Sequence, residues 1–550
     1  IFALPVDEPI SFSANFAELS FNHFHGGLDF RTGGREGFPV FSIGDGYVSR
    51  IRIDSKGYGN TIYITHPNGY ISLYAHLLRF NNQITDYIQK IQYGKEINLL
   101  DIDIAPGELP VNRCDVIALS GNTGSSRGPH LHFEIIEKKS GKLLNPLIFF
   151  PQIKDNKKPF INNIRLYPMD ENSVVNGISI DRVFRAYRKT TLQDYTVTTP
   201  ITAWGNIGFA IQADDFFSMS YHTFGLYSVQ LYIDSMLVYQ HKMDEIVPWE
   251  QRCINSFIDY AHFIKTKHNF QKSFVESNNK LKIYNVLNQD KGAISFNSPG
   301  IHKMSYVVSD YHGNKARINF NVVAKPSNRR TDIETRDSNY MDCKLRYVKF
   351  YRGINVVFGK DALFKDIQFK CKKDSVTRIP NAWSALYSLQ DNITPIRDSV
   401  VISIKTKKEV PDRYKNKMLI AQCASPKYTS PVGGTYDTGY VSVNIKNFGK
   451  FVVVIDTISP VIQPVRIYNR TNLTTKAGMF FRIWDGLSGI GKFNCWIDDK
   501  WVIMYYDQKQ RLLSLWFDPE RIDYGKWHKC KLVVEDTRGN ARVSEFTFFK

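Results

Sequence analysis

Two short segments of the chain combine residue types that bind metal ions. His25 and Asp29 stand four residues apart in FHGGLDF, and His130 and His132 stand two apart in GPHLHF, much further along the chain. Two imidazoles and one carboxylate would leave the fourth position of a tetrahedral zinc ion open for water. An open position is typical of a catalytic zinc site, whereas thiolates normally close a structural one. The segments therefore predict a catalytic zinc site.

The backbone around these residues must bring them together. The paired glycines between His25 and Asp29 would each cost a helix about 1 kcal/mol, so an irregular strand or loop is favoured. Glycine also tolerates the backbone angles that a bend toward one ion needs. The alternation in HLHFEI predicts a strand that places His130 and His132 on one face and apolar side chains on the other.

A third element lies between the two segments, in ISLYAHL (71–77). Its alternation predicts a strand with Tyr74 and His76 on one side and Leu73, Ala75 and Leu77 on the other. His76 is therefore a candidate for the same pocket.

The order of these motifs resembles the lysostaphin or LytM type of zinc endopeptidase. The matching features are His-x-x-x-Asp, then Tyr-x-His, then an SGNTG turn from Ser120 to Gly124 that leads into His-x-His. The segment GYGNTIYI, which begins at Gly57, is similar to the glycine-asparagine start of a strand in that family. The resemblance covers residues 15–150 and implies an antiparallel β-sheet peptidase domain.

The resemblance implies a role for each of five residues. His25, Asp29 and His132 would bind Zn²⁺, while His76 and His130 would flank the water and the scissile carbonyl. The implied reaction is peptide-bond hydrolysis in bacterial cell-wall peptidoglycan, in which zinc polarises the carbonyl and lowers the pKa of water toward about 7. One histidine would accept the proton of the water, and one would stabilise the oxyanion or protonate the leaving amine. The division of these tasks between the two histidines stays open.

Other polar residues receive no role from the sequence. Glu134 falls on the histidine face of its strand and is comparable to the general base of His-Glu-x-x-His proteases, but the family does not use it. Isolated histidines elsewhere are interpreted as surface or core residues, namely His23, His66, His222, His241 and His312.

The length and composition favour a multidomain β-protein. A chain of 550 residues predicts about three to five domains. Aromatic residues at 14% with only 9 methionines favour strands over helical bundles. The sequence lacks an apolar run of the roughly 18 residues that a membrane span needs. An enzyme that cuts the cell wall acts outside the cytoplasm, so we expect the periplasm or cell envelope of a bacterium; the first residues, IFALP, are compatible with a cleaved export signal.

The seven cysteines do not form a metal-binding or disulfide pattern. A Cys-x-x-Cys pair does not occur, which excludes a thiolate zinc ribbon. Cys495 and Cys530 could pair, although buried free thiols that behave as small hydrophobic residues are favoured.

A diverged internal repeat occupies two parts of the chain. DNKKPFI from Asp155 resembles DTISPVI from Asp456, and GLYSVQLYID from Gly225 resembles GIGKFNCWID from Gly489. VVSDYHGNKAR from Val307 likewise resembles VVEDTRGNAR from Val533, where Gly-Asn predicts a hairpin turn. Short strands with regular turns predict immunoglobulin-like β-sandwiches.

The sequence therefore predicts a mainly β chain in which about three β-sandwich modules follow the peptidase domain. A helix-leaning insertion from Trp249 to Phe274 lengthens the first module, and the polar stretch from Ala324 to Met341 is interpreted as a linker. The predicted domains are 1–152 (peptidase), 153–325 (immunoglobulin-like sandwich with the insertion), 342–457 (β-rich module, interpreted as a sandwich) and 458–550 (immunoglobulin-like sandwich).

The charge is distributed unevenly along the chain. The formal net charge is +18, yet acidic residues slightly outnumber basic ones in residues 1–150. The basic surface therefore belongs to the C-terminal modules, where it predicts contact with anionic envelope polymers; scattered solvated lysines are the alternative. Nucleic acid is not an expected partner, because the chain lacks a recognisable nucleic-acid-binding motif.

An insertion between His76 and Ser120 departs from a minimal lysostaphin-like core. An amphipathic helix is predicted by apolar residues at helical spacing, Ile84, Tyr87, Ile88 and Ile91, which follow the capping candidates Asn81 and Asn82. We hypothesise that this helix walls the substrate groove and shapes peptide specificity; the alternative is a helix that only packs against the sheet.

Two classes of function are compatible with the whole sequence. The first is an exported zinc endopeptidase that acts on peptidoglycan stem peptides or crosslinks. The second is an envelope-binding scaffold or regulator whose peptidase domain is inactive or autoinhibited. A hydrolase of free peptides or other proteins is a third interpretation. The five motif residues are all present, which favours the first class.

Overall fold

The computed structural model describes residues 2–7, 9–189, 194–218, 220–327, 337–374, 379–425 and 428–550. The protein is mainly β, as predicted, with strands throughout the described ranges. Residues 328–336 of the predicted linker lie outside the described residues. The four predicted domains are called the N-terminal region (1–152), the second region (153–325), the third region (342–457) and the C-terminal region (458–550).

The N-terminal region carries one helix, α1 (Asn82–Lys95), in its described part, together with a short 3-10 helix at Pro146–Phe149. Its strands are β1 (Phe12–Ala14), β2 (Leu19–Ser20), β3 (His23–Phe24), β4 (Leu28–Arg31), β5 (Pro39–Phe41), β6 (Gly46–Ile53), β7 (Thr61–Thr65), β8 (Tyr70–Ala75), β9 (Arg79–Phe80), β10 (Leu100–Asp103), β11 (Pro110–Val111), β12 (Val116–Leu119), β13 (His130–Glu137) and β14 (Leu143–Leu144).

Two sheets enclose the core of the N-terminal region. The large sheet has the order β1-β4-β13-β8-β7-β6-β10 with antiparallel neighbours, and the small sheet has the order β5-β12-β9. Leu131 and Phe133 from β13 are fully buried and share a core with Val40 and Ile117 from the small sheet. Because side chains alternate along a strand, the histidines of β13 occupy the opposite face.

The predicted amphipathic helix is confirmed as α1. Asn81 caps it, since its side-chain oxygen accepts a hydrogen bond from the N–H of Ile84 at 2.9 Å. Ile84 and Ile88 are buried in the core of the N-terminal region.

The second region carries the helical insertion, with a 3-10 helix at Pro248–Cys253, α2 (Ile254–Phe257) and α3 (Tyr260–Thr266). Its strands are β15 (Phe160–Pro168), β16 (Val174–Val175), β17 (Arg182–Arg185), β18 (Tyr187–Arg188), β19 (Asp194–Thr196), β20 (Thr202–Phe216), β21 (Thr223–Phe224), β22 (Ser228–Ile233), β23 (Met236–Lys242), β24 (Glu245–Ile246), β25 (Gln271–Lys272), β26 (Tyr284–Leu287), β27 (Ile294–Phe296), β28 (Gly300–Ser309) and β29 (Lys315–Ala324). The main path through its sheet is β17-β15-β20-β29-β28-β22-β23-β26.

The third region consists of two five-stranded sheets around one core, with the short helix α4 (Asp412–Lys415). The strands are β30 (Tyr340–Met341), β31 (Tyr347–Tyr351), β32 (Ile354–Phe358), β33 (Ile367–Gln368), β34 (Cys371–Asp374), β35 (Leu386–Leu389), β36 (Pro395–Lys405), β37 (Met418–Ser425), β38 (Tyr428–Gly433), β39 (Thr435–Asp437), β40 (Tyr440–Asn447) and β41 (Gly449–Ile455). The sheet orders are β31-β32-β36-β40-β39 and β34-β35-β41-β37-β38.

The C-terminal region also has two sheets around a core of its own. The strands are β42 (Val461–Pro464), β43 (Thr471–Asn472), β44 (Gly478–Trp484), β45 (Ile490–Ile497), β46 (Lys500–Val502), β47 (Tyr505–Asp507), β48 (Leu512–Trp516), β49 (Trp527–Asp536) and β50 (Ala541–Phe549). The sheet orders are β42-β44-β48-β47 and β43-β50-β49-β45-β46. The predicted Gly-Asn hairpins join β28 to β29 and β49 to β50.

Each region has a core largely of its own, although Phe217 and Phe224 of the second region join the core of the N-terminal region. The predicted domain boundaries and the immunoglobulin-like character of the modules stay predictions. A further apolar cluster joins the N-terminal region to the helical insertion, through Phe16 and Phe24 on one side and Ile254 and Phe257 on the other. The insertion therefore packs against the N-terminal region.

The C-terminal region contacts the outer face of α1. The hydroxyl of Tyr93 donates to Asp518 at 2.9 Å, and the guanidinium of Arg521 lies 4.0 Å from the centre of the Tyr93 ring. Asn98 follows the helix and hydrogen-bonds the backbone of Phe493 and Met504. The insertion between His76 and Ser120 therefore forms an interface between the N-terminal region and the C-terminal region.

The cysteines and the helices of the described residues can be compared with the predictions of buried free thiols and of no membrane span. The sulfur atoms of Cys495 and Cys530 lie 3.5 Å apart as buried free thiols, and every described cysteine is free. Within the described ranges, the helices are too short or too polar to cross a bilayer.

Candidate metal centre and active site

Strand register brings Asp29 and His132 together. Strand β13 lies between β4 and β8, and His132 is directly opposite Asp29 on β4 and Ala75 on β8. His130 lies two residues earlier on the same face of β13. His25 reaches the site from the loop between β3 and β4, so the predicted bend between His25 and Asp29 is present.

Three side-chain atoms from these residues converge on one point. Asp29 Oδ1 lies 2.9 Å from His25 Nε2 and 2.8 Å from His132 Nδ1, and the two nitrogens are 2.9 Å apart. Two ring nitrogens and a carboxylate oxygen match the donor types that zinc prefers. His25, Asp29 and His132 therefore form a candidate metal centre.

The outer ring atoms of the two histidines are held by acceptors. His25 Nδ1 lies 2.7 Å from the carbonyl oxygen of Asn15, and His132 Nε2 lies 2.9 Å from Oε1 of Glu134. Carbonyl and carboxylate oxygens only accept, so these ring nitrogens carry the hydrogens. The lone pairs of His25 Nε2 and His132 Nδ1 can then face a metal ion. This pattern is typical of metal-binding histidines and fits the donor set to zinc.

Glu134 contacts a ligand of the candidate metal centre but received no role from the sequence. Its side chain is buried, accepts from His132, and also accepts from the hydroxyl of Tyr58 at 2.6 Å. The ring of Tyr58 in turn stacks on His132, with centroids 5.2 Å apart. The position of Glu134 on the histidine face of the strand could have indicated a contact with His132, but that position was interpreted only in terms of a general base. The structure makes Glu134 a positioning residue for His132.

The paired glycines serve close packing at this site. A β-carbon at Gly26 would overlap with Oε1 of Glu134, and one at Gly27 would overlap with the carbonyl oxygen of Phe133. Neither glycine has a positive φ angle. The predicted reason for the glycines, freedom of the backbone angles, was therefore wrong, because lack of a side chain is what the packing requires.

His76 and His130 lie beside the candidate metal centre with similar hydrogen bonds. Nδ1 of His76 donates to the carbonyl of Thr123 at 2.8 Å, and Nδ1 of His130 donates to the carbonyl of Gly128 at 2.8 Å. Their ring centroids are 4.8 Å apart, and His130 Nε2 lies 3.5 Å from Asp29 Oδ2. In each neutral ring, Nε2 can therefore accept a proton.

The predicted strand geometry around His76 was wrong in one respect. Strand β8 ends at Ala75, and His76 adopts a positive φ of 59°, which is uncommon for a residue with a side chain. Alternation does not extend past the end of the strand. Tyr74 is therefore in the core, 5.3 Å from the ring of Phe133, and does not share a face with His76.

Two glycine-containing loops hold His76 in this conformation. The N–H of His76 donates to the carbonyl of Tyr58 at 2.9 Å, while its ring donates to Thr123 in the second loop. Gly59 and Gly124 have positive φ angles, and a β-carbon on either would overlap with the other loop. The GYGN and SGNTG segments thus form one support for His76.

The electrostatics of the site are set by burial and close contacts. Burial opposes ionisation of Asp29, but interactions with His25 and His132 outweigh it and hold the pKa of Asp29 well below its usual value. Burial opposes protonation of His132, yet hydrogen bonds to Asp29 and Glu134 raise its pKa to about 10. For His25, burial is likewise outweighed by Asp29, which raises the pKa.

The pKa values of the two flanking histidines shift in the opposite direction. Burial, together with the charges of His132 and His130, lowers the pKa of His76 to about 3. Burial also lowers the pKa of His130, although Asp29 opposes that change. Both rings are therefore neutral near pH 7, as a proton acceptor must be.

Comparison with known proteins identifies two domains. Residues 23–100, which include His25, Asp29 and His76, match Peptidase family M23, and residues 338–456 match a Zu5-like domain. The N-terminal region is thus an M23 peptidase domain, which confirms the resemblance drawn from the motifs. The second match falls on the predicted β-rich module at 342–457.

Relatives of the N-terminal region include named enzymes. An uncharacterized metalloprotease of Buchnera aphidicola subsp. Baizongia pistaciae is 35% identical over 144 residues, 26% of this chain and 31% of that protein. The peptidoglycan DD-endopeptidase ShyA of Vibrio cholerae is 32% identical over 138 residues, 24% of this chain and 26% of that protein. The chain thus spans about a third or less of the length of these relatives.

One solved structure aligns with the same region. The catalytic domain of lysostaphin from Staphylococcus simulans is 22% identical, with 26% of this chain and 92% of that chain covered and a TM-score of 0.20.

Proposed function

We propose that this protein is a zinc-dependent endopeptidase that hydrolyses peptide bonds in the stem peptides or crosslinks of bacterial peptidoglycan. At the level of its family, the N-terminal region is a metallopeptidase domain. The observation that carries the proposal is the convergence of His25, Asp29 and His132 beside two neutral imidazoles. Relatives named peptidoglycan DD-endopeptidases support the substrate class and make D-amino-acid crosslinks the first bond to test.

In this proposal His25 Nε2, Asp29 Oδ1 and His132 Nδ1 hold the zinc ion. When bound, zinc supplies Lewis-acid chemistry that polarises a carbonyl and makes water more acidic. Asn15 and Glu134 fix the two ligand rings through their outer nitrogens, so little reorganisation is needed to form the donor set.

His76 and His130 perform the proton transfers in this proposal. Each ring is oriented by an Nδ1–H bond to a backbone carbonyl and presents Nε2 as an acceptor. One ring takes a proton from the attacking water, and the proton then passes to the nitrogen of the leaving amine. The other ring stabilises charge on the carbonyl oxygen once its Nε2 has received a proton and can donate a hydrogen bond. Their proximity, with centroids 4.8 Å apart, lets both rings act on one peptide bond.

The proposed substrate places the protein outside the cytoplasm. Peptidoglycan lies in the cell envelope, so we propose export to the periplasm or envelope. The positive charge of the chain outside the N-terminal region supports, as a further proposal, contact of the C-terminal modules with anionic envelope polymers.

A second candidate function is a regulator or scaffold whose peptidase domain is autoinhibited. One contact favours it. Lys509, in the C-terminal region, donates to the carbonyl of Asn122, and its Nζ lies 3.1 Å from the carbonyl oxygen of Ser126. Ser126 Oγ lies 3.2 Å from Nδ1 of His130. The C-terminal region thereby touches the loop that supports a candidate catalytic residue.

Zinc analysis combined with digestion of purified muropeptides tests the first candidate. We expect His132→Ala to lose zinc and activity, and His130→Ala to keep zinc but lose activity. His23→Ala is the matched control, because His23 is exposed and lies outside the candidate site. Turnover by metal-free protein, or by His132→Ala, would refute the mechanism. Inactive wild-type protein with bound zinc would favour the second candidate.

A further inference from the structure

A second group of potential metal ligands lies at the junction of the N-terminal and second regions. Asp155, Asp310 and His312 present ligand atoms within 4.8 Å of one another. Asp310 and His312 belong to the turn between β28 and β29, and Asp155 lies in the segment that leads into β15. These residues do not belong to the candidate metal centre of His25, Asp29 and His132, which we call the M23 centre below. The sequence assigned no role to His312.

The ring of His312 is oriented as in metal-binding histidines. Its Nε2 lies 3.0 Å from the carbonyl oxygen of Ile153, an acceptor, so Nε2 carries the hydrogen. The lone pair of Nδ1 then faces Asp310, whose Oδ2 is 4.0 Å away. That distance is too long for a hydrogen bond, but two ligands of one ion can be separated in this way.

A buried carboxylate oxygen points to a ligand independently. Asp215 is 6% exposed, and its Oδ1 is buried without a hydrogen-bond partner among the described residues. Asp215 lines a cavity of about 30 Å³ together with Asp155, Asp310 and His312. Such a cavity is large enough for one ion or water. A buried carboxylate oxygen requires a partner, and nothing in the described protein supplies it.

The carboxylates at this junction lack a basic side chain as a partner. Asp155 Oδ1 accepts from the N–H and the hydroxyl of Ser218, and Asp310 accepts from the backbone and side-chain amides of Asn314. These donors are all neutral. Among the ion pairs of the described residues, only His312 is associated with any of the three aspartates. A bound cation would therefore offset the negative charge of the cluster.

The internal repeat supplies a natural comparison. In the C-terminal region, Asp456, Asp485 and Asp536 form an equivalent cluster, and Asn540 Nδ2 donates to the carbonyl of Asp456 at 3.0 Å. Asn314 makes the corresponding bond to Asp155 at 3.2 Å.

The two copies of the repeat differ in the side chain at one position beside the cluster. The sequence DYHGN at 310–314 corresponds to DTRGN at 536–540, so Arg538 stands at the position of His312. Burial lowers the pKa of Arg538, and the nearby carboxylates of Asp456 and Asp536 oppose that change. The C-terminal copy therefore carries a guanidinium, which cannot act as a metal ligand, at the position where the second region has an imidazole, which can.

We propose that Asp155, Asp215, Asp310 and His312 bind a divalent first-row metal ion such as Zn²⁺. One imidazole with carboxylates suits these ions, whereas Ca²⁺ takes six to eight oxygen ligands. The cavity is also lined by Phe12 and Asn15 of the N-terminal region. A bound ion would therefore stabilise the contact between the second region and the N-terminal region.

The junction is directly connected to the M23 centre. The side chain of Asn15 exchanges hydrogen bonds with the backbone of Gly225, while its carbonyl accepts from His25. The junction metal is therefore structural in role and lies next to a residue that orients a ligand of the other centre.

Metal counting on the full chain tests the proposal. Protein stripped with a chelator is reloaded with Zn²⁺ or, separately, with Mn²⁺, dialysed, and analysed for bound metal per chain. We expect two equivalents of Zn²⁺ in the wild type, one in His132→Ala, one in His312→Arg and none in the double variant. Asp215→Asn is a second variant with little change in volume and should also lose the junction equivalent. His302→Ala, in the same region but outside the cavity, should keep two.

Thermal melting provides a second readout. In the His132→Ala background we expect added Zn²⁺ to raise the melting temperature, and we expect this rise to disappear with His312→Arg or Asp215→Asn. Equal metal content in the wild type and both junction variants, with either ion, would overturn the proposal. Complete loss of metal in His132→Ala alone would also overturn it. Failure of the M23 proposal is distinguishable, because it would leave His132→Ala with the metal content of the wild type.

Discussion

Oε1 of Glu134 lies 2.9 Å from Nε2 of His132, the ring atom that faces away from the candidate metal centre. The carboxylate fixes the ring so that Nδ1 faces Asp29 and His25. Glu134 is held in turn by the hydroxyl of Tyr58. This chain of contacts means that zinc affinity depends on residues that do not touch the ion.

Removal of the Glu134 carboxylate tests that dependence. We expect Glu134→Ala to lower zinc affinity about 10- to 100-fold, because His132 loses the acceptor that orients it. Glu134→Gln should recover most of this loss, since an amide oxygen can still accept from Nε2. Affinity is measured by competition with a chromophoric chelator. Glu137→Ala, at the end of the same strand, is the control; an equal loss there would contradict a specific role for Glu134.

A side chain at Gly26 should disturb the same contact. The β-carbon of Gly26→Ala would overlap with Oε1 of Glu134, and relief of that overlap displaces the carboxylate from His132. We expect a loss of about 1–3 kcal/mol in the free energy of unfolding, together with weaker zinc binding. Urea denaturation measures the first effect. Gly94→Ala is the control, because a β-carbon there meets no atom within 4 Å; similar behaviour of the two variants would disprove the packing argument.

Zinc binding should release protons. In the metal-free site His132 has a pKa of about 10, so it carries a proton at pH 7 that must leave before Nδ1 can bind zinc. We therefore expect at least one proton released per ion, and an affinity that falls about tenfold per pH unit as the pH decreases below about 10. Calorimetry in buffers of different ionisation enthalpy counts these protons. Binding without proton release would contradict the assignment.

The same pKa governs the stability of the metal-free protein. The pKa of His132 is raised above the value of 6.5 that applies when the chain is unfolded. Its contacts with Asp29 and Glu134 therefore contribute fully below that value, and the contribution is lost as the pH rises through about 10. Melting temperatures of chelator-treated protein across this interval should fall toward high pH more steeply than those of His132→Ala.

The contact of Lys509 with the loop at 122–126 distinguishes the two candidate functions. If the contact supports His130, Lys509→Ala should lower kcat by up to about fivefold with unchanged zinc content, because an exposed contact is worth about 1 kcal/mol or less. An increase in kcat would instead indicate autoinhibition. Lys492→Ala, exposed on β45 of the same region, is the control and should behave as the wild type.

Local patterns in the sequence predicted much of the site. Alternation placed His130 and His132 on one face of a strand, and helical spacing after Asn81 predicted α1. The prediction failed at Tyr74 and His76, because alternation holds only inside a strand and His76 lies beyond its end with a positive φ. The alternation of apolar and polar residues cannot predict the φ angle of His76, because the GYGN and SGNTG loops impose it from other parts of the chain.

Contacts between segments that are far apart in the sequence could not be predicted from local patterns. The spacing of the helix residues predicted a groove wall or a sheet-packed helix as alternatives. The outer face of α1 instead contacts Asp518 and Arg521, residues whose proximity depends on how whole regions dock. His312 was dismissed for the same reason, since its partner Asp155 is brought close only by the fold.

The position of Asn98 has a consequence for the order in which the chain assembles. Its side-chain amide is buried and finds both partners, Phe493 and Met504, 395 and 406 residues later in the chain. The N-terminal region is synthesised before those partners, so Asn98 can be buried in this way only after the C-terminal region has been made. A chain that ends before the C-terminal region therefore leaves the polar side chain of Asn98 and the outer face of α1 exposed beside the candidate active site.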